Sequence, residues 1–440
     1  MSIDPAHVDL VMDKPVYGGD CLGHAADSPE KAGKAVFVPL TLPGERIRAQ
    51  LSQDKRTFSR AEIDTILSPS PHRIAPACRH FSACGGCHYQ HADYPTQLEM
   101  KHLILRETLS RSGVVIPGEI EALAAQTGAW HYRNRIRLAF TSDGQIAYRG
   151  RRSHDLIAIA ECPIAAPLLI ETAFRIAQFA AENPAPVPLS EVELFTNHNE
   201  SQLLITLVTE SATALNPSSV EAWLESLASA LPQQAIGIRL ERDDNSLAAN
   251  ALGAYGKKAL SYTAAGSDYR VDHGAFFQVN RRLVDPFVEL VTQGTQADSA
   301  WDLYAGVGLF ARQLASNGMH VTAVEAAPAS LDALRQNIDQ AGEAIAGTTL
   351  DYLRRNRELR EPRPDLIVLD PPRAGLGDTV TQLLNAIHAP EMVYVSCDPA
   401  TLARDLRQLT QERYRIHSVT LVDMFPQTFH IETVVRLKRS

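Results

Sequence analysis

Apolar and polar positions change rhythm three times along the chain. Between residues 8 and 67, short apolar runs alternate with Gly, Pro and Asp, as in "DLVMDKPVYGGD", "KAVFVPLTLPGERIRAQLSQDK" and "SRAEIDTILSP". Short strands at regular spacing with turn residues between them predict a small β-barrel over residues 1–68. "SPSPHRIAPAC" is rich in Pro and Ser and reads as a linker. Leu98, His102, Leu105 and Leu109 then recur at helical spacing until Gly113 ends the pattern. From there to about residue 265, strand patterns such as "EVELFTNHNESQLLITLVT" mix with helical ones such as "PSSVEAWLESLASALP". A central α/β region over 69–265 is expected. After residue 266, strand and helix alternate regularly, in "ADSAWDLYAGVGLFARQLASNG", "HVTAVEAAPASLDALRQNID", "PDLIVLDPPRAG" and "EMVYVSCDPATLARDL". That rhythm predicts an α/β, Rossmann-like domain over 266–440, a mostly parallel sheet covered by helices.

Composition narrows the class. A chain of 440 residues is long for one domain, and 45% apolar with 21% charged residues is usual for a soluble globular protein. No run of about 18 apolar residues occurs, so no membrane span is expected. The opening "MSIDPAHVDLVMDKPVYGG" has neither a basic start nor an apolar core, so no secretory signal is expected and the cytoplasm is the expected compartment. The net charge of −9 does not favour nucleic acid, but local patches outweigh the sum. From Tyr132 to Arg152, six arginines (133, 135, 137, 149, 151 and 152) face one acid, Asp143, with Tyr132, Phe140 and Tyr148 interleaved. This segment reads either as a hairpin with a solvated arginine face or as an RNA footprint.

Two strand ends carry candidate chemistry. "WDLYAGVGLFA" puts Gly306 and Gly308 between a strand and a helix, and Glu325 closes the next strand, at a spacing suited to ribose hydroxyls. The third glycine of a dinucleotide fingerprint is missing, since position 311 is Ala. S-adenosylmethionine, which has no pyrophosphate, fits the shorter loop better. Asp370 opens a loop stiffened by two prolines in "LIVLDPPRAGL". Cys397 leaves its strand into an Asp-Pro turn before a helix, at the sheet edge where open α/β sheets hold ligands. A nucleophile is expected there, its thiolate favoured by the helix amino terminus.

"GAFFQVN", "DLYAGVGLFA", "VTAVE", "LDPPRAGL", "VYVSCDPATLARDL" and "HIETVVRL" together resemble the RNA uridine-5-methyltransferase family, in the family's order and over most of residues 271–440. The resemblance implies a S-adenosylmethionine-dependent enzyme that makes 5-methyluridine. It implies that Gln278, Tyr304, Gly306, Glu325 and Asp370 contact the cofactor and that Asp351, in "TTLDYL", reaches the adenine. It also implies Cys397 as the nucleophile that adds to carbon 6 and Glu432 as the base that takes the proton from carbon 5. Such a base works best with a pKa raised by burial. Departures from the family pattern are Ala305, where many members carry Cys, Asp398, where many have Asn, and Leu309, polar in some relatives.

Cys78, Cys84 and Cys87, with a distant Cys162, have the spacing of a zinc or iron–sulfur site, and His88 and His91 read as bystanders. The resemblance implies a [4Fe-4S] cluster with a structural role, an RNA-binding TRAM-like barrel in the first 68 residues, and a helix at about 95–112 packed on the catalytic domain. Expected partners are RNA, large-subunit rRNA more than tRNA, with no membrane and no protein partner. Two rivals stand beside this reading. An exocyclic-amine methyltransferase shares the acid-Pro-Pro loop, but Arg373 follows the prolines where an aromatic residue is usual. A non-catalytic iron–sulfur RNA-binding protein would leave Cys397 and Glu432 without a task.

Overall fold

The computed structural model describes residues 7–25, 34–125, 128–212, 216–243, 250–294, 297–357 and 363–440. The first six residues, where the reading of a leader begins, lie outside them. Strands His7–Pro15, Asp20–Ala25, Ala35–Pro39, Arg46–Asp54 and Phe58–Ser68 close into a barrel. Alternation fixes its interior: Leu10, Met12, Val36, Val38, Ile47, Ala49 and Ala61 point inward, with charged neighbours such as Arg46 and Arg48 outside. Cys21 also fills this core, its thiol donating to the Thr41 carbonyl.

The central region is a seven-stranded mixed sheet with helices Pro167–Glu182 and Pro217–Ala230 packed on it through Leu169, Ile176, Val220 and Leu224. The hairpin Ala259–Ala264 with Ser267–Asp272 turns across residue 265, so its two arms fall on either side of the boundary expected there.

The third sheet positions the site. Its order is Gly342–Ala346, His320–Glu325, Ser299–Leu303, Leu366–Leu369, Glu391–Ser396, Glu432–Arg439, Tyr414–Val422, Glu121–Leu123. The first five strands are parallel, and strand order reverses at Ser299–Leu303, where doubly wound sheets open a crevice at their carboxyl ends. The last of the eight, Glu121–Leu123, comes from far earlier in the chain and pairs in parallel with Tyr414–Val422.

Helix Tyr94–Arg111 begins at Asp93, whose carboxylate accepts from the Thr96 amide. Its Ile104, Leu105 and Leu109 join the core formed by Leu402 and Leu406 of helix Pro399–Glu412 and Leu437 of the third sheet. Lys101, fully buried, pairs with Asp423 at 2.5 Å and donates to the Phe425 carbonyl. Gln97 and Gln427 exchange hydrogen bonds at 3.0 Å. Among the described residues no helix is long and apolar enough to cross a membrane.

Candidate active site

At the first sheet edge, Tyr304, Gly306 and Gly308 all take positive φ, which bends the chain sharply from strand to helix. Gly308 has a φ of 86°, and a Cβ there would press within 2.7 Å of the Leu334 side chain, so glycine favours the close approach of helix Leu309–Ser316 to helix Pro328–Ile338. Glu325 clasps this loop to its own: one carboxylate oxygen accepts from the Gly306 amide at 2.7 Å, the other from Ala327 at 2.6 Å. The pocket beside them is lined by Phe276, Gln278, Tyr304, Gly306, Leu309 and Asp370. Gln278 donates to Asp370 at 3.4 Å, and burial pushes the Asp370 carboxyl up to about 7. The donor set fits a nucleoside with a charged amino-acid tail: backbone and carboxylate oxygens for hydroxyls and ammonium, an apolar floor for a thioether. Asp351 stands apart from this lining. Its carboxylate accepts from the Thr348 hydroxyl at 2.7 Å, within the first turn of helix Thr349–Asn356, and is half exposed.

At the second edge, strand Glu391–Ser396 runs antiparallel to Glu432–Arg439 with Ser396 opposite Thr433. One further step in that register sets Cys397 beside Glu432. Glu432 is 4% exposed, and burial, reinforced by Asp370 and opposed by Arg373, holds its carboxyl well above the usual range. The same surroundings overturn one expectation. The Cys397 thiol is pushed up to about 12, first by burial, then by Glu432 and Asp370, with Arg373 the opposing charge. The helix amino terminus does not rescue the thiolate, because Asp398 caps it: its carboxylate accepts from Ala400 at 3.0 Å and Thr401 at 2.9 Å.

Several groups escaped the sequence reading. Phe276 is 60% exposed at the pocket mouth. In an extended "FFQ" only one of two consecutive phenylalanines can face the core, a signal available from alternation alone. Arg373 was noted only as a departure from another family's loop, yet its charge bears on both Cys397 and Glu432. Tyr17 reaches the site from the barrel, and nothing in its local sequence announces that.

Cys78, Cys84, Cys87 and Cys162 line one cavity together with Arg133, Tyr148 and Pro163. Gly85 lets the loop approach closely, since a Cβ there would meet the carbonyls of Arg149 and Gly150 at 3.1 Å. Tyr148 lies 3.8 Å from the Cys162 sulfur. Among the described residues no group of three or more His, Cys, Asp or Glu side chains is drawn together to hold a metal ion. The four thiols line one shared cavity, and thiols are donors suited to zinc or to an iron–sulfur cluster. His88 and His91 are outside that lining: His88 packs on Phe429, and His91 faces the Thr41 carbonyl.

The arginine-rich stretch divides. Arg135 pairs with Glu193 and lies over the Phe195 ring at 4.1 Å, a structural role. Arg137, Arg149, Arg151 and Arg152 line a cleft of about 570 Å³ between barrel, cysteine loop and Phe429. Each also meets an acid: Glu191 for the first two, Glu62 and Asp20 for the others.

A family model for tRNA (uracil-5-)-methyltransferases matches residues 93–440. The chain belongs to this family. It is similar to the 23S rRNA (uracil(1939)-C(5))-methyltransferase RlmD of Halomonas elongata, 31% identical over 418 residues that cover 92% of this chain and 85% of that one. The protein of the same description from Shewanella woodyi is 32% identical over 426 residues, covering 93% and 92%. Among solved structures, the tRNA (uracil-54, C5)-methyltransferase of Pyrococcus abyssi, in complex with S-adenosyl-L-homocysteine, superposes with a TM-score of 0.76 at 25% identity, over 97% of this chain and 99% of that one. The chain is therefore an RNA uracil-C5-methyltransferase that uses S-adenosylmethionine.

Proposed function

We propose that this methyltransferase modifies carbon 5 of a uridine in large-subunit ribosomal RNA, in the cytoplasm, through a covalent adduct on Cys397 with Glu432 as the proton-abstracting base. The observation that carries the reading is the strand register that sets Cys397 beside Glu432, with Asp370, which lines the pocket together with Gln278, near enough to raise the pKa of both. The named activity of the curated relatives supports ribosomal RNA over tRNA.

Gln278, Tyr304, Gly306, Glu325 and Asp370 hold S-adenosylmethionine, with Asp351 at its adenine end. When bound, that cofactor supplies an electrophilic methyl group on a sulfonium. A target uridine leaves its stack, at a cost of a few kcal/mol, and lies against the exposed face of Phe276. Cys397 loses its proton and its sulfur bonds to carbon 6, which moves an electron pair to the uracil O4 and makes carbon 5 nucleophilic. Asp370, whose charge also opposes the thiolate, is a group able to accept that proton, which leaves the Glu432 carboxylate free for the later step. Once carbon 5 carries the methyl, Glu432 removes its hydrogen, the electrons reform the carbon 5–carbon 6 double bond, and the carbon–sulfur bond breaks. A base whose pKa burial has raised is suited to that removal near neutral pH.

The four cysteines hold a [4Fe-4S] cluster that ties the loop around residues 78–87 to Cys162. Methyl transfer consumes no electrons, so its part is structural. The TRAM-like barrel and the arginine-lined cleft grip the RNA on either side of the flipped base.

The test is mass spectrometry after incubation with 5-fluorouridine-substituted total RNA and S-adenosylmethionine. Fluorine at carbon 5 cannot leave as a proton, so an adduct on Cys397 is expected, and sequencing the trapped RNA names the target. No adduct with any RNA class would sink the carbon-5 mechanism.

A further inference from the structure

The loop that carries the nucleophile is held from outside its own domain. In the barrel, the turn between His7–Pro15 and Asp20–Ala25 is closed by the Val16 amide on the Asp20 carbonyl at 2.9 Å. Gly18 and Gly19 take φ of 107° and 92°, and a Cβ on Gly19 would press on the His88 ring at 3.1 Å. The positive φ favours glycine at both positions, and a side chain at position 19 would have to displace the His88 ring of the cysteine loop. So seated, it aims Tyr17 at the active site. The phenol donates to the Cys397 carbonyl at 3.4 Å. The ring stands edge-on to Phe429 at 5.3 Å, and Phe429 lies three residues before Glu432 and packs against His430 and His88.

One side chain therefore touches the peptide of the nucleophile and the segment leading to the base. The next peptide is pinned by the Asp398 cap and by Ser396, whose hydroxyl donates to the Asp398 carbonyl at 3.2 Å. Tyr17 adds a fixed point on the Cys397 carbonyl itself. Misplacing a reacting group by about 1 Å can cost about a hundredfold in rate, so such a point bears on chemistry more than on folding.

We infer that Tyr17 is a positioning residue for methyl transfer: its hydroxyl and ring hold Cys397 and Glu432 in register, which makes the barrel a working part of the catalytic centre as well as a grip on RNA. The inference rests on the reading of Cys397 as nucleophile and Glu432 as base. Burial beside Asp398 keeps the phenol well above its ordinary pKa, so it remains a donor across the working range.

The test compares wild type, Tyr17→Phe and Tyr17→Ala in single-turnover methylation, in the rate of adduct formation with 5-fluorouridine RNA, and in KM for RNA, with melting temperature as control. Tyr17→Phe, which keeps the ring, is expected to slow both rates about tenfold, the effect of one hydrogen bond realised in the transition state. KM for RNA should stay within about twofold. Tyr17→Ala should be slower still, so that phenylalanine counts as partial rescue. Wild-type rates in Tyr17→Phe, or a loss confined to KM, would overturn the inference. An absent wild-type adduct would instead fail the underlying reading, and is told apart because it appears before any substitution is made.

Discussion

The two ends of the catalytic crevice are built differently. At the end proposed to hold the cofactor, Tyr304, Gly306, Glu325 and Asp370 follow the carboxyl ends of neighbouring parallel strands, and the sheet brings them together, while Gln278 joins from a loop whose carbonyl accepts from Asn134. At the nucleophile end, the sheet supplies Cys397 and Glu432 by register, but the loop leading to Glu432 is held by segments from elsewhere. Helix Tyr94–Arg111 contributes Lys101 and Gln97, the cysteine loop contributes the amides of His88 and Tyr89 on the Gln427 carbonyl, and the barrel contributes Tyr17. A cofactor site can be made by topology. A site that must place two reacting side chains against a macromolecule draws on the rest of the protein.

Damage at the two ends should therefore read out differently, most of all at the reacting residues. Cys397→Ala is expected to give neither adduct nor methylation. Glu432→Gln should still form the adduct but fail to release it, so turnover falls by about 10²–10⁴ while a covalent complex accumulates on ordinary RNA, visible on a denaturing gel. If Glu432→Gln made no adduct at all, the division of labour between the two residues would be wrong.

Next in size is the support of the loop. Lys101→Met leaves Asp423 buried with Tyr94, at 2.7 Å, as its one remaining side-chain donor among the described residues, and breaking a buried pair costs about 3–5 kcal/mol. Chemical denaturation should register that loss, and methylation should fall with it, while S-adenosylmethionine affinity, measured calorimetrically, stays within about twofold. At the opposite end, Glu325→Gln turns one of two carboxylate acceptors into an amide donor facing a backbone N–H, so one of the two loop hydrogen bonds is lost together with the charge. KM for S-adenosylmethionine should rise about tenfold, with kcat at saturation little changed. Equal effects of both substitutions on cofactor and chemistry would erase the distinction between the ends.

The contrast also explains what could be read from sequence. The loop proposed to hold the cofactor stands out in the sequence because strand, glycine turn and acid lie close together and each has a local signature. Asp351 shows the limit: its place in the sequence says nothing of the Thr348 hydroxyl that donates to its carboxylate within the same helix turn. Cys397 and Glu432 stand out in the sequence through motif and order, but their environment does not. Asp398 read as a minor departure from the family pattern, whereas in the fold it occupies the helix amides that the thiolate was expected to use. The barrel's closure followed from alternation, yet no local pattern could say that Tyr17 touches a residue 380 positions away. Likewise the strand Glu121–Leu123 is too short to announce the sheet it joins.

The smallest expected effect tests that electrostatic correction directly. In the RNA-free enzyme the Cys397 thiol, pushed up to about 12, is almost wholly protonated at neutral pH. Only the thiolate reacts with iodoacetamide, so labelling of Cys397, followed by peptide mass spectrometry, should rise about tenfold per pH unit through the neutral and mildly alkaline range. A like charge nearby disfavours a second anion, so Glu432→Gln should move this profile to lower pH. Arg373→Ala, which removes the opposing cation, should move it to higher pH. A profile already flat at pH 7 would mean that the helix end governs the thiol after all and that the Asp398 cap gives way. A steep profile means that the nucleophile is silent until substrate arrives. Activation would then belong to the complex, where the flipped uracil changes the surroundings of the thiol and its addition to carbon 6 proceeds with loss of the proton. That would be a second way in which the nucleophile end, unlike the cofactor end, is completed by something outside the sheet.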